Sequence, residues 1–384
     1  MNNTADVVIV GGGVVGVSAA YHLADAGAGS VVLLERADRL GTGSTGACAG
    51  GFRHQFGSRV NVLLSIESIR MITSFTEQHG LPLDVARDGY LFLVDSQPVW
   101  EEFLDTVEMQ RSLGVEVEVL TPEDAAELIP GISTENLVGA TFGPNDGIAD
   151  PAGLTEGYAT LARRAGARIE TDVEATAIAL NGGRVAGVRT SRGEISSPVV
   201  VNAAGAWAGR LSVTAGIDLP LEPIPRHVVV TAGFSGAPDR RTLVVDVGTS
   251  FYFHREGPGV LMGMGSPHER PSFDTIVDER FISEELLPTA VRVLPSLEEA
   301  GVRSSWVGLY EMTPDRHPIL GEAPDREGLF LATGFSGHGF QHAPVVGKLL
   351  AEMIVRGEAR SLDVSSLGLD RFAESGVKVE THVI

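Results

Sequence analysis

Residues 7–35 read VVIVGGGVVGVSAAYHLADAGAGSVVLLE, and this stretch decides the fold. Val7-Val8-Ile9-Val10 is a short apolar run closed by glycine, the pattern of a strand buried on both faces of a parallel sheet. A helix is expected from Val14 to about Ala26, ending at Gly27. Val31-Val32-Leu33-Leu34 is the next strand, and Glu35 ends it. The order is βαβ. Between strand and helix stands Gly11-x-Gly13-x-x-Gly16. In such a turn Gly11 provides the tight bend, Gly13 lets backbone amides approach a pyrophosphate, and Gly16 lets the helix pack on the strand. The helix start at Val14 then faces the phosphates. Glu35 can accept both hydroxyls of an adenosine ribose, and it would repel a 2′-phosphate. The stretch therefore reads as a dinucleotide site.

Outward from this unit, composition sets the frame. The chain has 384 residues, with Lys+Arg 29 against Asp+Glu 50 and a net charge of −21. That balance opposes nucleic acid and anionic membrane surfaces as partners. The run after Asp6 is long enough to span a membrane, but its glycines and Ser18, Tyr21 and His22 make it a soluble βα unit, so no membrane span is expected. Asp6 stands where a basic leader region would be, so no signal peptide is expected. One cysteine, Cys48, excludes an intrachain disulfide. A cytoplasmic location follows as an expectation. Glycine is abundant, 47 residues against a usual share of about 7%.

Two further segments are rich in glycine. Residues 41–51, GTGSTGACAGG, are read as a loop too flexible for the interior of an element. Ser44 and Thr45 can donate hydroxyls to a second phosphate there. Residues 334–340, GFSGHGF, form a glycine turn between an expected strand, 328–332, and an expected helix, 341–355. A helix start at this place can sit against the pyrimidine edge of a flavin and stabilise its anionic reduced form. NAD and FAD share the first fingerprint, and the residues by themselves reach two nucleotide-contacting turns without choosing between them.

Elsewhere the chain alternates. A helix is expected over 63–79, a strand over 90–94 and a helix over 97–113. Thr121-Pro122 and Asp150-Pro151 mark helix starts. Further strands are expected over 168–171, 185–190, 196–203, 227–232, 250–254 and 259–264, with a helix over 283–294. Three prolines between 219 and 225 read as punctuation. The fold class is α/β (α+β overall), with two discontinuous domains. One comprises residues 1–85, 146–222 and 324–384; the other comprises 86–145 and 223–323.

His338 and His342 have the i, i+4 spacing of helix metal ligands, but His338 precedes the helix and no HExxH pattern follows, so no metal is expected. GFSGHG is out of register with a Gly-x-Ser-x-Gly nucleophile turn.

GGGVVGVSAAYHLADAG…LLE, NDGIADP, VVNAAGAWA, LYEMTPDRHPILG and GFSGHGFQHAP, taken together, resemble the D-amino-acid-oxidase and glycine/sarcosine-oxidase (DAO) family of FAD enzymes. The flavour is that of sarcosine oxidase β and dye-linked proline dehydrogenase β subunits. The motifs cover nearly the whole chain in the right order. The resemblance implies a Rossmann-like FAD-binding domain and a substrate domain built on an antiparallel sheet. It implies oxidation of an amino acid or N-alkyl amino acid at its C–N bond, by hydride transfer to flavin N5 and hydrolysis of the imine. It assigns to FAD, besides the glycines above, Val14, Glu35, Arg36, Cys48, Ala49, Gly50 and Val173. Ala204, Gly205 and Trp207 join them, with Gly334, Gly337, His338, Gly339, Phe340 and Gln341.

Relatives with covalent flavin use a Cys where this chain has Gly308, or a His near Ala47, so noncovalent FAD is expected. Lysines of the oxygen-using relatives are replaced by Gln341 and Leu261, so slow reaction with oxygen is expected. For the substrate carboxylate the resemblance points to Arg53, alone or with Tyr252 and Tyr310, with Gln341 in place of the second cation of those sites and with His54 and His254 near the substrate or structural. The electron acceptor is oxygen, a carrier or a partner subunit. The remaining alternative is a subunit that holds FAD without catalysis.

Overall fold

Val7–Val10 (β1) and Val31–Leu34 (β2) lie side by side, Val7 opposite Val31. In the computed structural model, which describes residues 3–266, 268, 270–373 and 378–382, β1 is central to a six-stranded sheet. The order is Ile319–Glu322, Leu329–Thr333, Val199–Asn202, β1, β2, Arg168–Glu170. All neighbours are parallel except the pair of Ile319–Glu322 with Leu329–Thr333. Alternation along β1 divides two cores. Val7 and Ile9 pack beneath the helices Val14–Asp25 (α1), Pro151–Arg164 and Gly339–Arg356. Val8 and Val10 pack beneath the antiparallel strands Ala175–Asn181, Arg184–Thr190 and Gly193–Ser196.

The second large sheet has eight strands. Its order is Val302–Met312, Glu222–Thr231, Gly259–Met264, Phe251–Glu256, Leu243–Asp246, Tyr90–Val94, Gly139–Gly143, Glu118–Leu120. It is antiparallel except where Leu243–Asp246 runs parallel to Tyr90–Val94. Leu91, Leu93 and Val229 of one face pack on apolar residues of the helical segments around Pro122–Leu128 and 279–293. The other face turns toward the first sheet. A small sheet of Gly51–Phe52, Gly147–Ala149 and Val85–Ala86 stands at the junction.

Several strands, among them Gly139–Gly143, Ala175–Asn181, Leu243–Asp246 and Val302–Met312, were not expected, and four further differences bear on the site. Residues 41–51 contain a short helix, Ser44–Ala47. It is tethered to strand Val302–Met312 by Ser44 Oγ donating to Leu309 O (2.6 Å) and Trp306 Nε1 donating to Ala47 O (3.0 Å). The helix expected over 63–79 is two helices, Arg59–Thr73 and Phe75–His79. Ser74 Oγ and Thr73 Oγ1 bond to the carbonyls of Arg70 and Ile69, and such back-bonding competes with the ladder. The proline-punctuated stretch is itself the start of strand Glu222–Thr231. Pro223 and Pro225 are tolerated there because residues 222–226 pair only with Val302–Met312, so no strand on the other edge asks for their missing N–H groups. Finally, Ile319–Glu322 belongs to the first sheet, although the expected boundary at 323/324 assigns it to the second domain.

No helix among the described residues is long and apolar enough to cross a membrane.

Candidate active site

The turn after β1 obeys the geometry its glycines imply. Gly11 has φ +114°, and a side chain there would meet Ala203 O at 2.3 Å. A Cβ on Gly16 would lie 1.9 Å from Gly11 O, so only glycine lets α1 press on the turn. Gly13 is different. The one atom within 4 Å of its missing Cβ is Thr45 Oγ1, at 3.2 Å, so the bare position opens on a cavity rather than on backbone. Val14 N, at the start of α1, donates to Thr45 Oγ1 (3.2 Å). Glu35 is held at the end of β2 by Gly12 N (2.7 Å) and Ala37 N (2.8 Å), each on one carboxylate oxygen.

The cavity has a volume of about 870 Å³. It starts at Glu35 and Arg36, passes Gly11, Gly13 and Val14, and reaches the second glycine turn at 337–341. The sheet order explains the meeting of turns so distant in sequence. Val199–Asn202 pairs with β1, and Leu329–Thr333 pairs with Val199–Asn202, so all three strands deliver their following loops to one edge. An FAD fits this donor set: helix-start amides and an open glycine for the pyrophosphate, a ribose acceptor at one end, and a second helix start at the other.

The roof is the antiparallel sheet. Strand register puts Arg226 opposite Gly308, Ile224 opposite Tyr310, and Val228 opposite both Trp306 and Gly263, which is in turn opposite Tyr252. Arg226, Tyr252 and Tyr310 therefore share one face, and all three line the cavity with Tyr90. The Arg226 guanidinium carbon is 4.8 Å from the Tyr310 ring centroid. Tyr310 also closes on the glycine turn, where a Cβ on Gly337 would lie 2.2 Å from its ring. Burial raises the phenols of Tyr90 and Tyr252, so both stay protonated donors. Glu311, beside Tyr310, accepts from Phe335 N (3.4 Å), and burial pushes its carboxyl up to about 7. Burial, then the charge of Arg53, lowers His338, a neutral imidazole at the N-cap position of helix Gly339–Arg356 that makes no side-chain cap hydrogen bond.

Most expected residues come together. The expected contacts on the first turn, on 44–50 and on Val173 line the cavity, as do Ala204, Gly205 and Trp207. Gly16 and Gly334 stand behind the wall, as supports for the two turns. At the substrate end, Arg53 and Gln341 line the cavity but are engaged by protein groups, and His54 and His254 take the structural one of their two expected roles. Arg53 is 5% exposed. Its guanidinium donates to the carbonyls of Gln55 and His382 and stacks on Phe56 at 3.9 Å, so its fork is engaged by main chain. Gln341 grips the Arg53 main chain, accepting from its N (2.9 Å) and donating to its O (3.3 Å); it joins a helix to a strand. His54 lies outside the lining and pairs through Nδ1 with Asp146 (2.5 Å). His254 is buried behind Ala49, between the carbonyls of Ala49 and Arg255. The residue that sequence reasoning missed is Arg226, hidden just after the prolines.

The family model described as FAD dependent oxidoreductase (DAO) matches residues 6–353. The chain belongs to the DAO family of FAD-dependent oxidoreductases. It is 32% identical over 389 residues to mitochondrial sarcosine dehydrogenase of Mus musculus, covering 97% of this chain and 42% of that one. It thus spans less than half the length of that relative. Among solved structures it is similar to L-proline dehydrogenase from P. horikoshii, with TM-score 0.91, 30% identity, and 98% and 100% of the two chains covered. Glycine oxidase from Geobacillus kaustophilus gives TM-score 0.86 and 27% identity, covering 96% and 99%. The DAO-family flavin site also explains two small residues. A Cβ on Gly308 would lie 2.9 Å from Ala47 Cβ, so the two places where covalent relatives were expected to attach flavin adjoin, and neither holds a reactive side chain. Cys48 lines the cavity next to them, but burial pushes its thiol up to about 12 and keeps it protonated.

Proposed function

We propose that this flavoprotein oxidises the C–N bond of an amino acid or N-alkyl amino acid, with Arg226 holding the substrate carboxylate and FAD bound noncovalently. The observation that carries the reading is the Arg226 guanidinium on the cavity roof, against Tyr310 and on the same sheet face as Tyr252. The relatives add support: sarcosine, proline and glycine each carry a carboxylate one carbon from an amine. Bound FAD supplies a centre that accepts two electrons with a hydride. The substrate gives up the hydrogen on the carbon beside its nitrogen, and water hydrolyses the resulting imine to a carbonyl compound and an amine.

The chain's part is binding, orientation and exclusion of water. An arginine presents two parallel donors that match a carboxylate, and in a partly closed cavity that fork fixes direction as well as affinity. The protonated phenols of Tyr90 and Tyr252 can donate to the same carboxylate without adding charge. A neutral His338 adds no cation that would repel the substrate nitrogen. Positioning of this kind supplies much of the barrier reduction when no protein nucleophile is required.

A second reading concerns the acceptor. Leu261 is buried among Val228, Val230, Ala49, Tyr252 and Trp306, an apolar setting that would not stabilise developing superoxide-like charge. This favours a dehydrogenase that passes electrons to a carrier or partner subunit over an oxidase. Dye-coupled turnover across a panel of amino and N-methyl amino acids tests the function. Carbonyl product and reduced dye should form one to one. Absence of dye reduction with every member of the panel would refute it.

A further inference from the structure

The adenosine end of the cavity has a wall that no glycine motif accounts for. Residues 270–278 follow strand Gly259–Met264 of the antiparallel sheet and lead into the short helix Glu279–Phe281. On the way they leave that sheet and cross to the loops of the parallel one. The crossing is anchored at both ends: Ser272 N donates to Pro223 O (2.7 Å), and Asp278 N donates to His227 Nε2 (3.0 Å). Phe273 at its middle meets the FAD-binding side. The Arg210 guanidinium carbon lies 3.7 Å from the Phe273 ring centroid. The Trp207 ring lies 5.8 Å from Phe273, at an interplanar angle of 35°. Trp207 in turn carries the Arg36 guanidinium at 3.7 Å.

Arg36, Trp207, Phe273 and Arg210 thus form one continuous row of contacts, and all four line the cavity. Arg36 directly follows Glu35, whose carboxylate marks the ribose position. Trp207 and Arg210 come from the segment after Val199–Asn202. Phe273 alone comes from the other sheet. The row therefore bridges the two halves of the molecule at the end of the cavity that Glu35 and Arg36 line. Its chemistry suits an adenosine diphosphate moiety, since aromatic faces accept a purine and guanidinium groups accept phosphate charge.

We propose that this row is a clasp over the adenosine half of FAD, and that parting Phe273 from Trp207 and Arg210 is the step that limits FAD release. The inference does not depend on which amine is the substrate. Exposed cation–π and tilted aromatic contacts of this kind, lost together, correspond to about a tenfold change in a dissociation rate.

The test is the rate at which flavin fluorescence appears when loaded holoenzyme is diluted. Phe273→Ala should release FAD about tenfold faster, Arg210→Gln severalfold faster, and Phe273→Trp at close to the parent rate. The absorption spectrum of the flavin still bound should be unchanged, because none of the four residues belongs to the glycine turn at 337–341. Arg210 is exposed, so its variant keeps the test valid even if Phe273→Ala folds poorly. Parent-like release in both Phe273→Ala and Arg210→Gln would overturn the clasp. Faster release accompanied by an altered bound-flavin spectrum would also overturn it, by showing a disturbance spread over the whole site.

Discussion

Arg226→Met removes the guanidinium fork and leaves an unbranched apolar stem of similar reach against Tyr310. If the fork holds the substrate carboxylate, two charge-assisted hydrogen bonds are lost. Each is worth about 1.5–3 kcal/mol, and water recovers part of the loss in an open-ended cavity. A net loss of about 3 kcal/mol corresponds to roughly a 150-fold fall in kcat/KM, at about 1.36 kcal/mol per factor of ten. The carboxylate contact is present in both the bound substrate and the transition state, so most of the loss should fall on KM. A smaller part should fall on kcat, because a substrate that rocks in the cavity is less often aligned. Arg226→Lys keeps the charge without the fork and should recover about tenfold. The assay is anaerobic stopped-flow reduction of bound flavin against substrate concentration, with an amino acid and with the matching amine that lacks the carboxylate. Only the amino acid should suffer. Equal losses on both would make Arg226 a structural residue. Parent rates in Arg226→Met, with a large loss in Arg53→Lys, would return the carboxylate to Arg53.

Gly13→Val should leave the FAD-free protein folded, since only Thr45 Oγ1 is near the added Cβ, yet abolish FAD binding by filling the cradle; Gly16→Ala, 1.9 Å from Gly11 O, should impair folding itself. Circular dichroism and flavin content separate the two, and in the parent acid precipitation should free the flavin into the supernatant. Burial raises the Glu311 carboxyl from 4.5 to about 7, so its contribution to stability is full below pH 4.5 and is lost as pH rises through 7. Glu311→Gln should therefore gain about 2–3 kcal/mol relative to the parent at pH 8 and little at pH 4, read from thermal midpoints against pH; identical profiles would place the titration elsewhere. Reduced protein should reoxidise faster with an artificial dye than with oxygen, and Leu261→Lys should raise the oxygen rate; rapid oxygen reoxidation of the parent would sink the acceptor reading.

The nucleotide half was legible because its constraints are local. Gly11, Gly13 and Gly16 answer to atoms within one βα unit, and Glu35 ends the very next strand. The helix starts at Thr121 and Asp150 were legible for the same reason: each side chain accepts from an amide of its own first turn. The substrate end depends on contacts distant in sequence. Arg53 looked poised for a ligand, but His382, near the far end of the chain, returns to accept from it. Glu380, two residues earlier, is buried and accepts from Gly57 N, Ser58 N, Ser58 Oγ and Asn61 Nδ2, fixing that return. No pattern in residues 378–382 announces it. Arg226 was masked by Pro223 and Pro225, because proline opposes a strand wherever both edges are paired with other strands, and only the strand order reveals that one edge there has no strand beside it. His54 and His254 resembled site histidines in sequence, and only packing against Asp146 and Ala49 shows what they hold.

The central claim is that the cavity beneath Arg226 presents an amino acid to bound FAD. Anaerobic mixing of the purified holoprotein with single amino and N-methyl amino acids tests it most directly. The oxidised-flavin absorbance should bleach with at least one of them, saturating with concentration, and Arg226→Met should shift the half-saturation point upward by roughly two decades. A flavin that stays oxidised in the presence of every such compound, while a chemical reductant bleaches it at once, would contradict the account.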